Sequence, residues 1–139
     1  MRRYAFVAIF ICCAVAAFPV TEYAFDSNKD GRPDKWYVYE DGYVNVERSD
    51  LNFDGKVDFI VEFDKKGKKK YEEMDNNFDG VMDTFYYYEK GVAVKNTIDS
   101  NYDGKIDIWI YLQGVYVDRY EQDTDFDGVI DKTKMFGAR

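Results

Sequence analysis

The stretch "DNNFDGVMD", Asp75 to Asp83, sets Asp, Asn and Asp at positions one, three and five, glycine at six and Asp at nine, and leads straight into the aromatic run "TFYYY". Carboxylates held this close repel one another unless something of opposite charge sits among them. Four further copies show that the pattern is a unit: "DSNKDGRPD" from Asp26, "DLNFDGKVD" from Asp50, "DSNYDGKID" from Asp99 and "DTDFDGVID" from Asp123. The copies start 24, 25, 24 and 24 residues apart. Such a period is the mark of a repeat architecture.

Between the acidic loops each unit reads as two strands around a glycine turn. The first strand is "KWYVY", "FIVEF", "TFYYY" or "IWIYL", rich in β-branched and aromatic residues. A turn follows at Gly42, Gly67, Gly91 or Gly114, and the one extra residue of the 25-residue spacing falls there, in "DKKG" at Asp64–Gly67. The second strand is more polar: "YVNVER", "KKKYEEM", "VAVKNTI" and "VYVDRYE". "VTEYAF" before Asp26 and "KTKMF" after Asp131 add a half-hairpin at each end. No segment beyond residue 17 has a long helical apolar period. The expected fold is all-β, an antiparallel meander of about ten short strands, with five acidic loops along one edge and the glycine turns along the other. Strands such as "IWIYL" are apolar on both faces, whereas a half-solvated sheet alternates. The sheet must therefore curl or stack, coat itself with tyrosine, or meet a partner.

The chain has 139 residues and opens "MRRYAFVAIFICCAVAAF": two arginines, an apolar run, then small residues. That order predicts a secretory signal peptide over residues 1–17 and one β-repeat domain over 18–139. An uncleaved anchor is the competing reading, but the apolar run is short against the ~20 residues a spanning helix needs. Cys12 and Cys13 are the only cysteines and lie in this leader, so the exported chain would have neither disulfide nor thiol. Lipid attachment at Cys12 would follow Ile11, where a small residue is usual. The reading is of a secreted, extracellular or periplasmic protein with no membrane span in the mature chain. Small secreted domains usually need a staple, and here it is not sulfur.

Net charge is −8, and loss of Arg2 and Arg3 with the leader makes it more negative. An acidic chain disfavours nucleic acid and anionic lipid and favours cations. Histidine is absent, which removes the commonest general base and transition-metal ligand. What remains is hard oxygen chemistry. Ca²⁺ takes 6–8 oxygens in flexible geometry. In the third copy Asp75, Asn77 and Asp79 can converge, Gly80 permits the sharp turn, the Val81 carbonyl adds a ligand and Asp83 closes the shell. A metal-free Asx-turn would also favour Asp, Asn and Gly. It requires neither the aspartate at position nine nor carboxylates at both one and five, which all five copies have.

The loop D-x-N/D-x-D-G-x-x-D opening into a strand resembles the calcium-binding hairpin loops of FG-GAP and VCBS repeats, as in integrin β-propellers. The resemblance covers each nine-residue loop and the first strand residues after it. It implies ligands at positions one, three, five, seven and nine throughout. In the first copy these are Asp26, Asn28, Asp30, Arg32 and Asp34, and in the second Asp50, Asn52, Asp54, Lys56 and Asp58. The third has the set already given. The fourth offers Asp99, Asn101, Asp103, Lys105 and Asp107, and the fifth Asp123, Asp125, Asp127, Val129 and Asp131. Position seven counts through its backbone carbonyl. The loop is like that of an EF-hand, but position twelve holds Tyr37, Val61, Tyr86, Ile110 or Lys134 in place of the bidentate Glu, and the flanks are strands. Dockerins place helices after the loop. The 24-residue period is about half a propeller blade.

The expected function is a secreted repeat protein holding about five Ca²⁺, with a structural, adhesive or interaction role towards a protein or glycan surface. A carbohydrate-binding module is the alternative, with Trp36, Trp109, Tyr86 and Tyr88 stacking on sugars; the same aromatics also suit a cross-strand ladder. Enzymatic activity is not expected: no catalytic residue stands out, and Glu62, Glu72 and Glu73 lie on strands as surface charge.

Overall fold

The computed structural model describes residues 20–137, so the expected leader, with Cys12 and Cys13, lies outside the described residues. Among the described residues no helix is long and apolar enough to cross a membrane. Ten strands form one sheet: β1 (Thr21–Phe25), β2 (Lys35–Glu40), β3 (Tyr43–Ser49), β4 (Phe59–Phe63), β5 (Lys69–Met74), β6 (Thr84–Glu89), β7 (Val92–Ile98), β8 (Ile108–Gln113), β9 (Tyr116–Gln122) and β10 (Lys132–Met135). Each pairs antiparallel with its sequence neighbours, in the order β1 to β10, so the sheet is open and β1 and β10 are its edges. The meander expected from the repeats is the fold.

The turns explain the hairpins. At Asp41–Gly42 and Lys90–Gly91 both central residues have positive φ (53° and 82°, 53° and 83°), the requirement of a type I′ turn whose twist matches the strands. The "DKKG" turn is wider. It is closed by Gly67 donating to the Asp64 carbonyl at 2.9 Å and by the Asp64 carboxylate taking the Lys66 and Lys68 amides at 2.8 and 2.9 Å. Just past the fourth residue after the position-nine aspartate, every hairpin slips register by one, at Val38/Tyr39, Glu62/Phe63, Tyr87/Tyr88 and Tyr111/Leu112. Nothing in the composition announces these β-bulges, and they are placed alike in all four hairpins.

Loop-proximal register is unbroken across the whole sheet. One row runs Tyr23, Tyr37, Glu47, Val61, Glu72, Tyr86, Asn96, Ile110, Tyr120, Lys134, and its members share a face. The question of how both faces are covered has a plain answer: by side chains lying across one another within a single layer. Val61, 2 % exposed, is the buried apolar side chain among the described residues, and most residues of β2–β9 are half-buried. Tyr23 and Tyr39 meet edge-on at 5.3 Å, as do Phe25 and Tyr37 at 5.6 Å. On the other face Lys95 lies 5.4 Å from the Tyr87 ring and 5.7 Å from Tyr111, whose ring also carries the Arg119 guanidinium at 3.9 Å. Long basic stems thus cover tyrosine faces while their charges stay in water. Trp36 and Trp109 are half-buried opposite Arg48 and Glu121, in the manner of a cross-strand ladder.

Candidate metal centre

Each acidic loop joins the second strand of one hairpin to the first strand of the next, so the five loops line one edge. The position-one and position-nine aspartates, except Asp26 and Asp131 at the two ends of the row, are among the most buried of the described residues. Asp58, Asp75 and Asp83 are each 1 % exposed, and Asp34, Asp50, Asp99, Asp107 and Asp123 are all buried. Burying carboxylates at a sheet edge is costly unless each oxygen has a partner.

The partners are backbone amides of the same loop. In loop three, Asp75 Oδ1 accepts from the amides of Phe78 and Asp79 at 2.7 and 3.3 Å, and Oδ2 from Gly80 at 2.7 Å. Asn77 Oδ1 takes the Asp79 amide, and Asp79 Oδ1 the Val81 amide. Asp83 Oδ2 takes the Asn76 amide at 2.8 Å, closing the ring from the far side. Asp26, Asp50, Asp99 and Asp123 gather the amides of positions four and six of their own loops in the same way. To present these amides, position four turns left-handed. Lys29, Phe53, Phe78, Tyr102 and Phe126 have φ between 62° and 65°, unusual for side chains of this bulk. Four of the five are aromatic, but the sequence does not reveal this conformation.

Three features fit a cation. In loop five, ligand oxygens of Asp123, Asp125 and Asp131 all lie within 4.8 Å of one another. In loops one, three and four the amides of Asn28, Asn77 and Asn101 instead donate to Asp30, Asp79 and Asp103, so positions three and five also meet there. Second, none of the position-seven carbonyls, Arg32, Lys56, Val81, Lys105 and Val129, accepts a hydrogen bond among the described residues. Third, Asp58 has one oxygen without a donor. Its Oδ2 accepts the amides of Leu51 and Asn52 at 2.7 and 3.2 Å, while its buried Oδ1 has no partner.

The second position of the loop sets Asp58 apart from three of its counterparts, though not from Asp83, whose neighbour Asn76 donates its side-chain amide to Thr84 instead. Ser27, Ser100 and Thr124 each donate a hydroxyl to the position-nine aspartate of their loop, at 2.8, 2.8 and 2.7 Å. Leu51 has no such group. The hydroxyls at position two of loops one, four and five are visible in the sequence, but their meaning is not.

Electrostatics vary along the row. Burial pushes the Asp83 carboxyl up, and Asp75 and Asp79 add to that. Asp127 foremost, then Asp131, raise Asp125, where the other loops have an amide. Burial works against Asp34, but the Ser27 hydroxyl and the Asn28 and Ser27 amides outweigh it and hold its carboxyl low. The Thr124 hydroxyl and amide do the same for Asp131.

The loops are also bonded to one another. The amide of each position-one aspartate donates to the carbonyl of the preceding loop's position-nine aspartate: Asp50 to Asp34, Asp75 to Asp58, Asp99 to Asp83, Asp123 to Asp107, at 2.8–2.9 Å. Lys56 reaches from loop two to the Asp79 carbonyl of loop three at 3.1 Å.

No family model and no curated protein matches the chain. Among solved structures, the chain is similar to part of a structure of accessory secretory protein 1, 2 and 3 in Streptococcus pneumoniae, with a TM-score of 0.50 and 16 % identity over 66 % of this chain and 18 % of that one. Part of a GtfA/B complex bound to UDP and GlcNAc matches at 0.48 and 17 %, over 82 % of this chain and 26 % of that one. The chain thus spans about a fifth to a quarter of those proteins' length. At such identity the first likeness speaks for the fold alone.

Proposed function

We propose that the chain is a calcium-binding β-repeat protein in which ions held in the five loops stabilise an open sheet that serves a structural or adhesive role outside the cell. Asp58 carries this reading. A buried carboxylate oxygen without a donor, on a residue 1 % exposed, is unfavourable, and a cation in loop two relieves it. Asp50, Asn52, Asp54 and the Lys56 carbonyl are the loop's remaining expected ligands. All are hard oxygens, the set Ca²⁺ takes and soft transition metals do not. The other loops repeat the same framework, which supports one ion in each. No step of catalysis is assigned to any residue.

Titration calorimetry on chelator-stripped protein tests the reading. About five Ca²⁺ are expected, with Mg²⁺ far weaker because it demands tight octahedral geometry and sheds water reluctantly. A stoichiometry of one or none overturns it.

A further inference from the structure

The two edge strands are unlike the rest of the sheet. Every residue of β1 and of β10 is exposed, with Tyr23, Phe25 and Met135 more than half so. Each is also half of a hairpin. β1 leads into an acidic loop, as β3, β5, β7 and β9 do, and β10 follows one, as β2, β4, β6 and β8 do. The chain of loop-to-loop bonds is open at the same two places. Asp26 is a position-one residue whose amide meets no carbonyl, and Asp131 a position-nine residue whose carbonyl meets no amide, among the described residues. Their side chains are also less buried than those of the equivalent residues within the row.

We propose that β10 of one chain pairs with β1 of a second copy, head to tail, extending the sheet and its row of loops without a break. The register follows from the four hairpins, in all of which the first residue after the loop aspartate faces the last residue before the next loop: Lys35 and Ser49, Phe59 and Met74, Thr84 and Ile98, Ile108 and Gln122. Carried across the edge, Lys132 faces Phe25 of the second copy, Thr133 faces Ala24, and Lys134 faces Tyr23. The Asp26 amide of the second copy then meets the Asp131 carbonyl of the first.

Charge selects this pairing over its rivals. Lysines on an edge strand normally discourage association, and two β10 strands laid together would set Lys132 and Lys134 against their own kind. Opposite β1 the same lysines meet aromatic rings, an arrangement the sheet already uses at Lys95 between Tyr87 and Tyr111. A β10–β10 pair would also leave the Asp26 amide and Asp131 carbonyl unmatched. Because the contact joins two different edges, it propagates, into filaments or, if the rotation closes, rings.

Disulfide trapping tests it. Ala24→Cys and Thr133→Cys are combined in a Cys12→Ser, Cys13→Ser background of the full chain and oxidised at high protein concentration in calcium. Nine strand spacings of ~4.8 Å put the two positions about 43 Å apart within one chain, far beyond the ~7 Å limit of a disulfide, so any bond between them joins two chains. The expected result is a ladder of dimers, trimers and larger species. Yield should be at least tenfold above that of Ala24→Cys with Lys134→Cys, which would lie on opposite faces. No ladder from variants that keep the parent's strand signal overturns the proposal, and so does a dimer given equally by Thr133→Cys alone, which would mean β10–β10 pairing. Sedimentation velocity of the unsubstituted chain adds a check free of mutation: species should grow with concentration, and a strict monomer refutes the pairing. The contact uses backbone edges and not the ion, so a chain that binds no calcium is still expected to give the ladder.

Discussion

Replacing Leu51 by Ser supplies loop two with the hydroxyl that loops one, four and five already have. In those loops Ser27, Ser100 and Thr124 donate to the position-nine carboxylate at 2.7–2.8 Å. Leu51 is 47 % exposed, so its loss forfeits only part of an apolar side chain's burial. A hydrogen bond to a charged group contributes about 1.5–3 kcal/mol, and losing the half-buried Leu costs about 1 kcal/mol. The metal-free variant should therefore be more stable by about 1 kcal/mol, or ~4 °C in melting temperature for a domain of this size. With calcium bound, Asp58 Oδ1 already has a partner, and the gain should shrink towards zero or reverse. Thermal melts of parent and variant at high NaCl, where the metal-free fold persists, each in chelator and in saturating calcium, separate the two cases. An equal shift in both conditions would mean that the bare oxygen is unrelated to an ion. No shift in chelator would mean that the oxygen is not in need of a donor at all.

Chelation of the parent should largely unfold it at low ionic strength. At free Ca²⁺ ten times Kd each site adds ~1.4 kcal/mol, and five sites about 7 kcal/mol, within the ~5–15 kcal/mol of a whole domain. High NaCl should partly rescue the metal-free fold by screening the carboxylates, and circular dichroism in chelator at two salt concentrations reads both effects; an unchanged melt would show the sheet self-sufficient. Asp79→Ala should empty loop three and loosen β5–β6 while distant loops keep their amide protection, since repeats couple mainly to neighbours; uniform loss along the chain would indicate one cooperative core instead. Acidifying the metal-free protein should first stabilise it. Asp83 and Asp125 have raised folded pKa values, so the native state binds their protons first as pH falls towards 3.8. Below 3.8 the order reverses as Asp34 and Asp131, held low in the fold, lose their contribution. A melting temperature that falls steadily from neutral pH would contradict those shifts.

Strand number, order and turn positions were legible because each rests on a local rule that recurs from repeat to repeat: five acidic loops and four glycine turns. Gly42 and Gly91 mark their turns, and "FIVEF" or "IWIYL" has no other use. The four bulges were not legible. A register slip at Tyr87/Tyr88 depends on how the I′ turn and the loop end of the hairpin fit together, and no residue type encodes it. Of the expected ways to cover two apolar faces, the tyrosine coat is the one seen, but the part played by Lys95 and Arg119 was not legible because sequence patterns count them as polar. Their stems, lying across Tyr111, act as cover. In the loops the spacing marks which residues would be ligands if an ion is held there. The role of position two was not legible, since Ser, Leu, Asn and Thr there look like the free variation of a surface turn.

The same loops also account for how a sheet with one buried apolar side chain can have a fixed register. Position-one and position-nine aspartates of successive loops are joined through their backbones, Asp75 to Asp58 and Asp99 to Asp83, so the bonded row of loops runs along the edge at right angles to the strands. Each carboxylate in that row also ties down its own loop's amides, so the ends of four consecutive strands are fixed by two loops and the bond between them. A strand slipping by one residue would have to break those amide contacts and the loop-to-loop bond together. Register in this sheet is therefore set at the acidic edge, where the pairing is unbroken, and relaxes towards the glycine turns, where every hairpin bulges. An ion in each loop would tighten the end that already determines the pairing, which is where a stabilising charge has the greatest effect on the whole sheet.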